Sequence, residues 1–384
     1  MNEVYIKNVS DYDQAKVDEA VEYILKNSSL DDIVKPSSRV VIKLNLLRKS
    51  TPDEAITTHP AVIGAVIKAL KKRKVKDILI ADCPSGPFSD SRMKSIYNVC
   101  GISQFEGDGV RLNYDFSSVF KTSGSHRFEI INAMLDCDVL INLAKLKTHA
   151  MAGMTGAVKN MFGVIPGLQK AEHHFHFPER DIFCSSVCEL CEIVNPAISI
   201  IDAIVGMEGE GPSAGKPRNF GFLVGGNNPY YVDRIAAHCI GISRRNAATV
   251  DESIKRGLSP DSINDIIVAG DRGLIDSPIT DTLLPSTHAT DCTDEFPRPM
   301  KKGLKYLFRK KLVSKPNVMK NVCIGCGNCA EACPQKTIAL VAKKEKGKYA
   351  KINYSDCISC FCCHEVCPEK AIEIRKNLVF KVFR

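Results

Sequence analysis

No run in this chain approaches the roughly 18 consecutive apolar residues that cross a bilayer, so no transmembrane helix is predicted. The opening MNEVYIKNVSDYDQAK lacks both a basic start and an apolar signal core, which predicts a cytoplasmic protein. TGAVKNMFG lacks the G-K-[ST] ending of a Walker loop, and ADCPSGP has a strand and a glycine but not G-x-G-x-x-G. No nicotinamide or flavin fingerprint stands out, although flavin sites often leave no sequence mark, so there is room for an unidentified second cofactor. No basic groove interleaved with stacking aromatics is evident, which argues against a nucleic-acid partner.

What is present is ordinary in bulk: 384 residues, 44% apolar and 25% charged, enough for two or three domains with buried cores. The exception is cysteine. Seventeen of them in a cytosolic chain of this size do not describe a disulfide scaffold, since that compartment is reducing, and metal ligation becomes the leading explanation. The formal charge of +8 overstates the basicity, because cluster-ligating thiolates carry more negative charge than their iron cancels.

Residues 1 to 285 repeat one pattern, a short β-branched run followed by a helical segment. RVVIKLN precedes HPAVIGAVIKALKKR, DILIADCPSG precedes SRMKSIYNVCG, and DVLINLAK precedes TGAVKNMFG; AISIIDAIVG, NFGFLVGG and YYVDRIAAHCIG continue it. Nearly continuous apolar strands are covered on both faces, so the pattern predicts an α/β domain with a mainly parallel sheet and flanking helices. Strand order does not follow from it. Residues 286 to 316 read as a linker, STHATDCTDEFPRP, and a basic helix with Leu304, Leu307, Phe308 and Leu312 on one face. That helix reads as a packing element with a solvated basic side, or as a docking surface for an acidic redox partner.

CIGCGNCAEACP (323 to 334) and CISCFCCHEVCP (357 to 368) each spell C-x2-C-x2-C-x3-C-P. A cubane needs four converging thiolates; three closely spaced cysteines wrap one cluster, and the fourth of each run ligates the other. This assigns Cys323, Cys326, Cys329 and Cys367 to one [4Fe-4S] cluster, and Cys333, Cys357, Cys360 and Cys363 to a second, leaving Cys362 as a non-ligand thiol. Two zinc sites are the alternative, but they need neither this spacing nor the prolines. Residues 317 to 376 resemble the bacterial two-[4Fe-4S] ferredoxins, a small α+β module, with weak strands in VAKKEKGKYAKIN. The resemblance implies single-electron transfer and a redox partner such as a ferredoxin, a flavodoxin or a reductase.

NLAKLKTHAMAGMTGAVKNMFG (142 to 163) concentrates positive charge among small and apolar residues. If DVLINLA is a strand, KLKTH leaves its carboxyl end, where open α/β sheets bind ligands. TGAVKNMFG then starts a helix capped by Thr155, and Lys159 near its start opposes the helix dipole unless an anion is bound. Lys43, Asn45, Lys145, Lys147, Thr155, Lys159 and Asn160 are therefore the candidate binding residues for an anionic small molecule. His149, Asp202 and Glu208 join Lys145 and Lys147 as candidate catalytic groups, with Asp82 and the Ser85–Gly86 turn on the same edge. The alternative is that the lysines pair with acids such as those of GMEGEGP, or reach solvent.

NLAKLKTH, TGAVKNMFG, TTHP (57 to 60) and DAIVGMEGEGPSAGKPR resemble the hallmark segments of the domain of unknown function 362 family, whose members are often fused to a two-cluster ferredoxin. The resemblance covers residues 1 to about 270 and implies the same fold and a shared lysine-rich pocket. Cys184, Cys188 and Cys191 carry a radical-S-adenosylmethionine spacing, but Phe183, Val187 and Leu190 share a helical period that strings the thiols along one buried stripe. His173, His174 and His176 form either a metal site or a loop over the anion pocket. Together these features predict a ferredoxin-linked oxidoreductase suited to anaerobic metabolism; the alternative is a non-catalytic electron carrier or cluster-delivery protein.

Overall fold

The computed structural model describes residues 3–86, 88–124, 126–167, 169–177, 179–285, 314–343 and 347–375. Strand β1 (Glu3–Asn8) leads through α1 (Gln14–Asn27) and the single turn α2 (Leu30–Ile33) to β2 (Arg39–Lys43). Helix α3 (Pro60–Lys72) returns the chain to β3 (Asp77–Ala81), and α4 (Asp90–Val99) to β4 (Val110–Leu112). A hairpin of β5 (Ser118–Ser123) and β6 (His126–Ile131) precedes β7 (Val139–His149), which folds back on itself through β8 (Gly153–Thr155). Then come α5 (Ala157–Asn160), α6 (Gln169–His176), α7 (Arg180–Val194), β9 (Ile198–Glu208), β10 (Lys216–Gly226), α8 (Pro229–Cys239), α9 (Ala248–Lys255), β11 (Ile267–Gly270) and α10 (Gly273–Asp276).

The strands join in the order β11-β1-β10-β9-β7-β2-β3-β4, with β8 paired to β7. Only β10 and β8 run antiparallel to their neighbours, which makes the sheet mainly parallel. Alternate residues of each strand serve opposite faces. Val40, Ile42, Ile78 and Ile141 pack against α1, α3 and α4, while Val41, Leu79, Leu140 and Ile201 pack toward α7 and α8. Helix α3 starts where Pro60 fixes the first turn and the His59 ring accepts the Ala61 N–H; its apolar stripe then buries Val62, Ile63, Val66 and Leu70.

The connection after β2 runs to β3 over one face, and the connection after β7 runs to β9 over the other. Because β2 and β7 are neighbours, their carboxyl ends flank the crevice that such a reversal of strand order creates. The expectation that KLKTH leaves the strand is corrected here. β7 continues through His149, since Lys147, Thr148 and His149 pair with Thr155, Met154 and Gly153 of β8. Thr155 is accordingly a strand residue, and Gly156 is the one that precedes the first turn of α5.

In the C-terminal segment, β12 (Lys315–Val318) pairs with β15 (Ile372–Arg375), and β13 (Ile338–Ala342) with β14 (Lys348–Ile352). A strand thus begins at Lys315, inside the stretch expected to be linker. The basic helix with Leu304, Leu307, Phe308 and Leu312 lies outside the described residues. Each cysteine run contains a short helix before its fourth cysteine, Asn328–Glu331 or Cys362–Glu365, around a small core of Ile338, Ala350, Ile352 and Ile372.

Candidate functional site

Both cysteine runs use the same backbone, with two left-handed residues each: Gly325 and Gly327 in the first, Ser359 and Phe361 in the second. Glycine adopts that conformation freely, whereas a bulky side chain does so only when its surroundings hold it there. Phe361 is held by burial against Ala150 and Ile374, so it anchors the C-terminal segment to the turn between β7 and β8. Further ties are Ser213 to the His364 carbonyl and Lys370 to the Gly215 carbonyl, both at 3.5 Å.

The eight cysteines of the two motifs surround two separate hollows. Cys323, Cys326, Cys329 and Cys367 line one; Cys333, Cys357, Cys360 and Cys363 line the other. The donor set suits an inorganic cluster. Four thiols ring each space, and among the described residues no three His, Cys, Asp or Glu groups converge on a single ion. Backbone N–H groups point at sulfur: Ala371 to Cys367 at 3.2 Å, Ala350 to Cys323 and Thr337 to Cys333 at 3.4 Å. Burial first, and then the neighbouring Cys326, Cys367 and Cys323, push the Cys329 thiol up to about 11, so its ionisation calls for a cation's charge.

At the carboxyl ends of β2, β3 and β7, a second and differently built chamber of about 60 Å³ is lined by Lys43, Asn45, Lys147, His149, Thr155, Lys159, Asn160, Lys170 and His174, and closed by Cys362 and Glu365. Lys43 is fixed by Asp82 at 3.0 Å, the Leu44 carbonyl at 2.8 Å and Asn160 Oδ1 at 2.9 Å. Gly163 makes room for this pair, since a Cβ there would fall 2.3 Å from Lys43 Nζ and 2.4 Å from Asp82 Oδ1. Lys147 donates to Asn45 Oδ1 at 2.6 Å and the Ile56 carbonyl at 2.7 Å, leaving one of its three N–H groups over. The Lys159 ammonium makes no hydrogen bond among the described residues and lies 4.4 Å above the Phe162 ring. Lys170 reaches the Cys83 carbonyl.

Burial brings Lys147 down from the usual 10.5 to about 7 and Lys159 to about 8; for both, Glu365 acts in the opposite sense. His149 and His174 are pushed well below the ordinary imidazole value, again by burial first and then by Lys159. His149 Nδ1 accepts the Met151 and Ala152 N–H groups, which leaves its proton on Nε2, 3.5 Å from Glu365. The chamber therefore holds cations largely stripped of water beside neutral imidazoles, an arrangement that favours an incoming anion.

The profile of the domain of unknown function DUF362 matches residues 40–238, and that of a 4Fe-4S dicluster domain matches residues 322–371. The chain belongs to the DUF362 family. Its C-terminal segment is a ferredoxin-type domain that binds 4Fe-4S. A thylakoid-associated protein of Synechocystis sp. is 29% identical over 237 residues, 60% of this chain and 72% of its own length. The lactate racemase apoprotein of Thermoanaerobacterium thermosaccharolyticum superposes with a TM-score of 0.41 at 16% identity, over 62% of this chain and 58% of the racemase. This chain thus spans less than two thirds of that protein's length. No helix among the described residues is long and apolar enough to cross a membrane.

The DUF362 domain separates the candidate residues into two groups. Lys43, Asn45, Lys147, His149, Thr155, Lys159 and Asn160 line the chamber. Lys145, Asp202 and Glu208 do not. Lys145 and Asp202 satisfy each other at 2.7 Å, wholly buried, with Tyr12 bonded to both, and Glu208 is taken by Arg218 at 2.7 Å. The first turn of α5 is not open to a ligand either: Asp233 of α8 accepts the Ala157 N–H at 2.5 Å and the Val158 N–H at 3.1 Å. The anion expected at this helix start is thus the protein's own. Burial raises the Asp233 carboxyl to about 7 against the pull of those two N–H groups. Asp233→Ala is expected to lower stability by about 3 kcal/mol, read by urea denaturation, because two buried donors lose their acceptor.

Cys184, Cys188 and Cys191 lie on the buried side of α7, where burial pushes all three thiols up. The histidine run is helical, not a loop, and its side chains diverge. His173 meets Ser186 at 2.9 Å, His174 stacks on Phe183, and His176 is exposed beside Glu172. Glu365 and Lys170 escape sequence reasoning altogether. Glu365 sits in the x3 spacer of a cysteine motif, where a charged residue reads as solvated, and nothing local signals a contact with β7.

Proposed function

We propose that this DUF362 protein relays single electrons through two [4Fe-4S] clusters to an anionic small molecule bound in the strand-end chamber. Cys323, Cys326, Cys329 and Cys367 hold the outer cluster; Cys333, Cys357, Cys360 and Cys363 hold the inner one. When bound, the clusters supply one-electron reduction. One observation carries the reading: Cys362 and Glu365, from the motif that holds the inner cluster, form a wall of the chamber that also contains Lys147 and Lys159. Those lysines bind and orient the anion, His149 holds a proton on Nε2, and the domain contact through Phe361 keeps bulk water out. A redox partner such as a ferredoxin, flavodoxin or reductase charges the outer cluster, in a cytoplasm poised for anaerobic metabolism.

The carboxylate partners of Lys43 and Lys145 favour a second reading, an electron carrier or cluster-delivery protein whose α/β domain only docks. Lys147 and Lys159, which no carboxylate bonds directly, weigh toward the first. The test is electron paramagnetic resonance of the dithionite-reduced protein titrated with sulfate. An anion in the chamber should perturb the spectrum of the inner cluster and leave the outer one unchanged. Spectra unmoved at sulfate concentrations that calorimetry shows to be saturating would reject the relay.

The same titration has a predictable pH dependence. In the free protein Lys147 loses its proton near 7 and Lys159 near 8, and a bound anion raises both values. Binding therefore takes up protons above that range. Sulfate affinity should be highest below pH about 7 and fall as the pH rises toward about 9, because charging a desolvated lysine becomes part of the binding step. Calorimetry in buffers of differing ionisation enthalpy measures that proton uptake directly.

A further inference from the structure

The lysine chamber does not end at Cys362. Through Ser85, Lys170 and Cys362 it adjoins a wider cleft of about 310 Å³ between the DUF362 domain and the ferredoxin-type domain. The two spaces differ in kind. The chamber has room for a few non-hydrogen atoms and is lined by cations, whereas the cleft is of the size that holds an organic ligand. In the cleft, Lys170 and Lys336 are offset by Glu172 and Glu331, and Pro334 and Val366 supply apolar wall. Its far side includes Cys333, which also lines the inner cysteine hollow. Independently, His174 is buried to 3% exposure and lines the chamber with Nδ1 unpartnered among the described residues.

We infer that the ligand is a two-part organic oxyanion: a phosphate- or carboxylate-sized head in the lysine chamber, and an uncharged organic body in the interdomain cleft against Cys333 and Cys362. Resting on the relay proposed above, this places the electron-accepting group on the body, because the body and not the head lies beside Cys333, which the cleft shares with the inner hollow. The head supplies recognition, held by Lys147 and Lys159 with His174 beside it. Lys170 stands at the junction of the two spaces and touches both parts.

The test uses the oxidised, anaerobically prepared full-length protein and calorimetry with inorganic phosphate, acetate, phenyl phosphate and phenylacetate. The aryl compound of the matching head should bind at least about 10-fold tighter than the bare anion, and the phosphate and acetate pairs show which head is preferred. Gln335 lines the cleft and borders the inner hollow; Gln335→Trp, which fills the cleft and is compared at full iron content, should return the aryl compound to the affinity of the bare anion while changing the latter by less than about 2-fold. Lys159→Met should weaken both. Equal affinities for aryl and bare anions, equal losses of both in Gln335→Trp, or no binding of any of the four probes would each overturn the inference. Since no electron moves in this experiment, its failure is separable from failure of the relay, which the resonance titration reads.

Discussion

Cys357→Ala should leave the chain with about four irons in place of about eight, and should abolish one of two reduced-cluster signals. Each hollow is ringed by three thiols from one motif and the fourth from the other. A cluster stripped of one thiolate loses a quarter of its protein bonds and opens to solvent, where it degrades. The crossing makes the prediction specific. Cys333→Ala must erase the same signal as Cys357→Ala although it sits in the first motif, and Cys329→Ala must erase the other. Cys362→Ala should keep full iron, because that thiol lines the chamber and the cleft, not the hollow. Iron and sulfide analysis with resonance spectra of the four variants decides; Cys333→Ala grouping with Cys329→Ala would refute the crossed assignment.

The second large effect distinguishes lysines that look alike in sequence. Lys147→Met should weaken sulfate binding by more than about 100-fold while the protein still folds, since it removes a desolvated cation that no carboxylate pairs directly. Lys145→Met should do the opposite. It leaves Asp202 buried without its cation, at a cost of about 3–5 kcal/mol, and affects the anion only through the fold. The pH dependence of stability supplies an internal check. Lys147 is held near 7 in the folded chain and near 10.5 when unfolded, so the unfolded state binds more protons between those values. Stability therefore rises with pH through that window, and Lys147→Met should abolish its share of the rise in denaturation curves measured from pH about 7 to 10. Wild-type and variant curves of equal slope would mean that Lys147 is not the desolvated cation the structure makes it.

These contrasts show where sequence reading stops. The lysine spacing in NLAKLKTH places Lys145 and Lys147 on the same side of a strand, and on that basis they are equivalent. They differ because a register shift lies between them in the β7–β9 pairing: Lys145 is opposite Asp202, and Lys147 opposite Met207. Thr155 was legible as part of the site but not as a strand residue, since the pairing that makes β8 comes from the same strand folding back. Asp233 was not legible at all as the anion serving α5, being contributed from a helix more than seventy residues onward.

The sequence by itself determined the α/β character of the first 285 residues, the family, and the ferredoxin-type cysteine motifs, because each is written in short-range spacing: strand and helix periods, and thiols whose separation is set by the geometry of what they bind. Tertiary structure alone decided the strand order that makes β2 and β7 neighbours, the sorting of paired from unpaired lysines, and the contact that brings Glu365 and Cys362 to the strand ends. Those depend on which buried charges find partners across the sheet and between domains. In a low-dielectric interior that pairing is governed by distances of a few ångströms, which no local pattern of residues records.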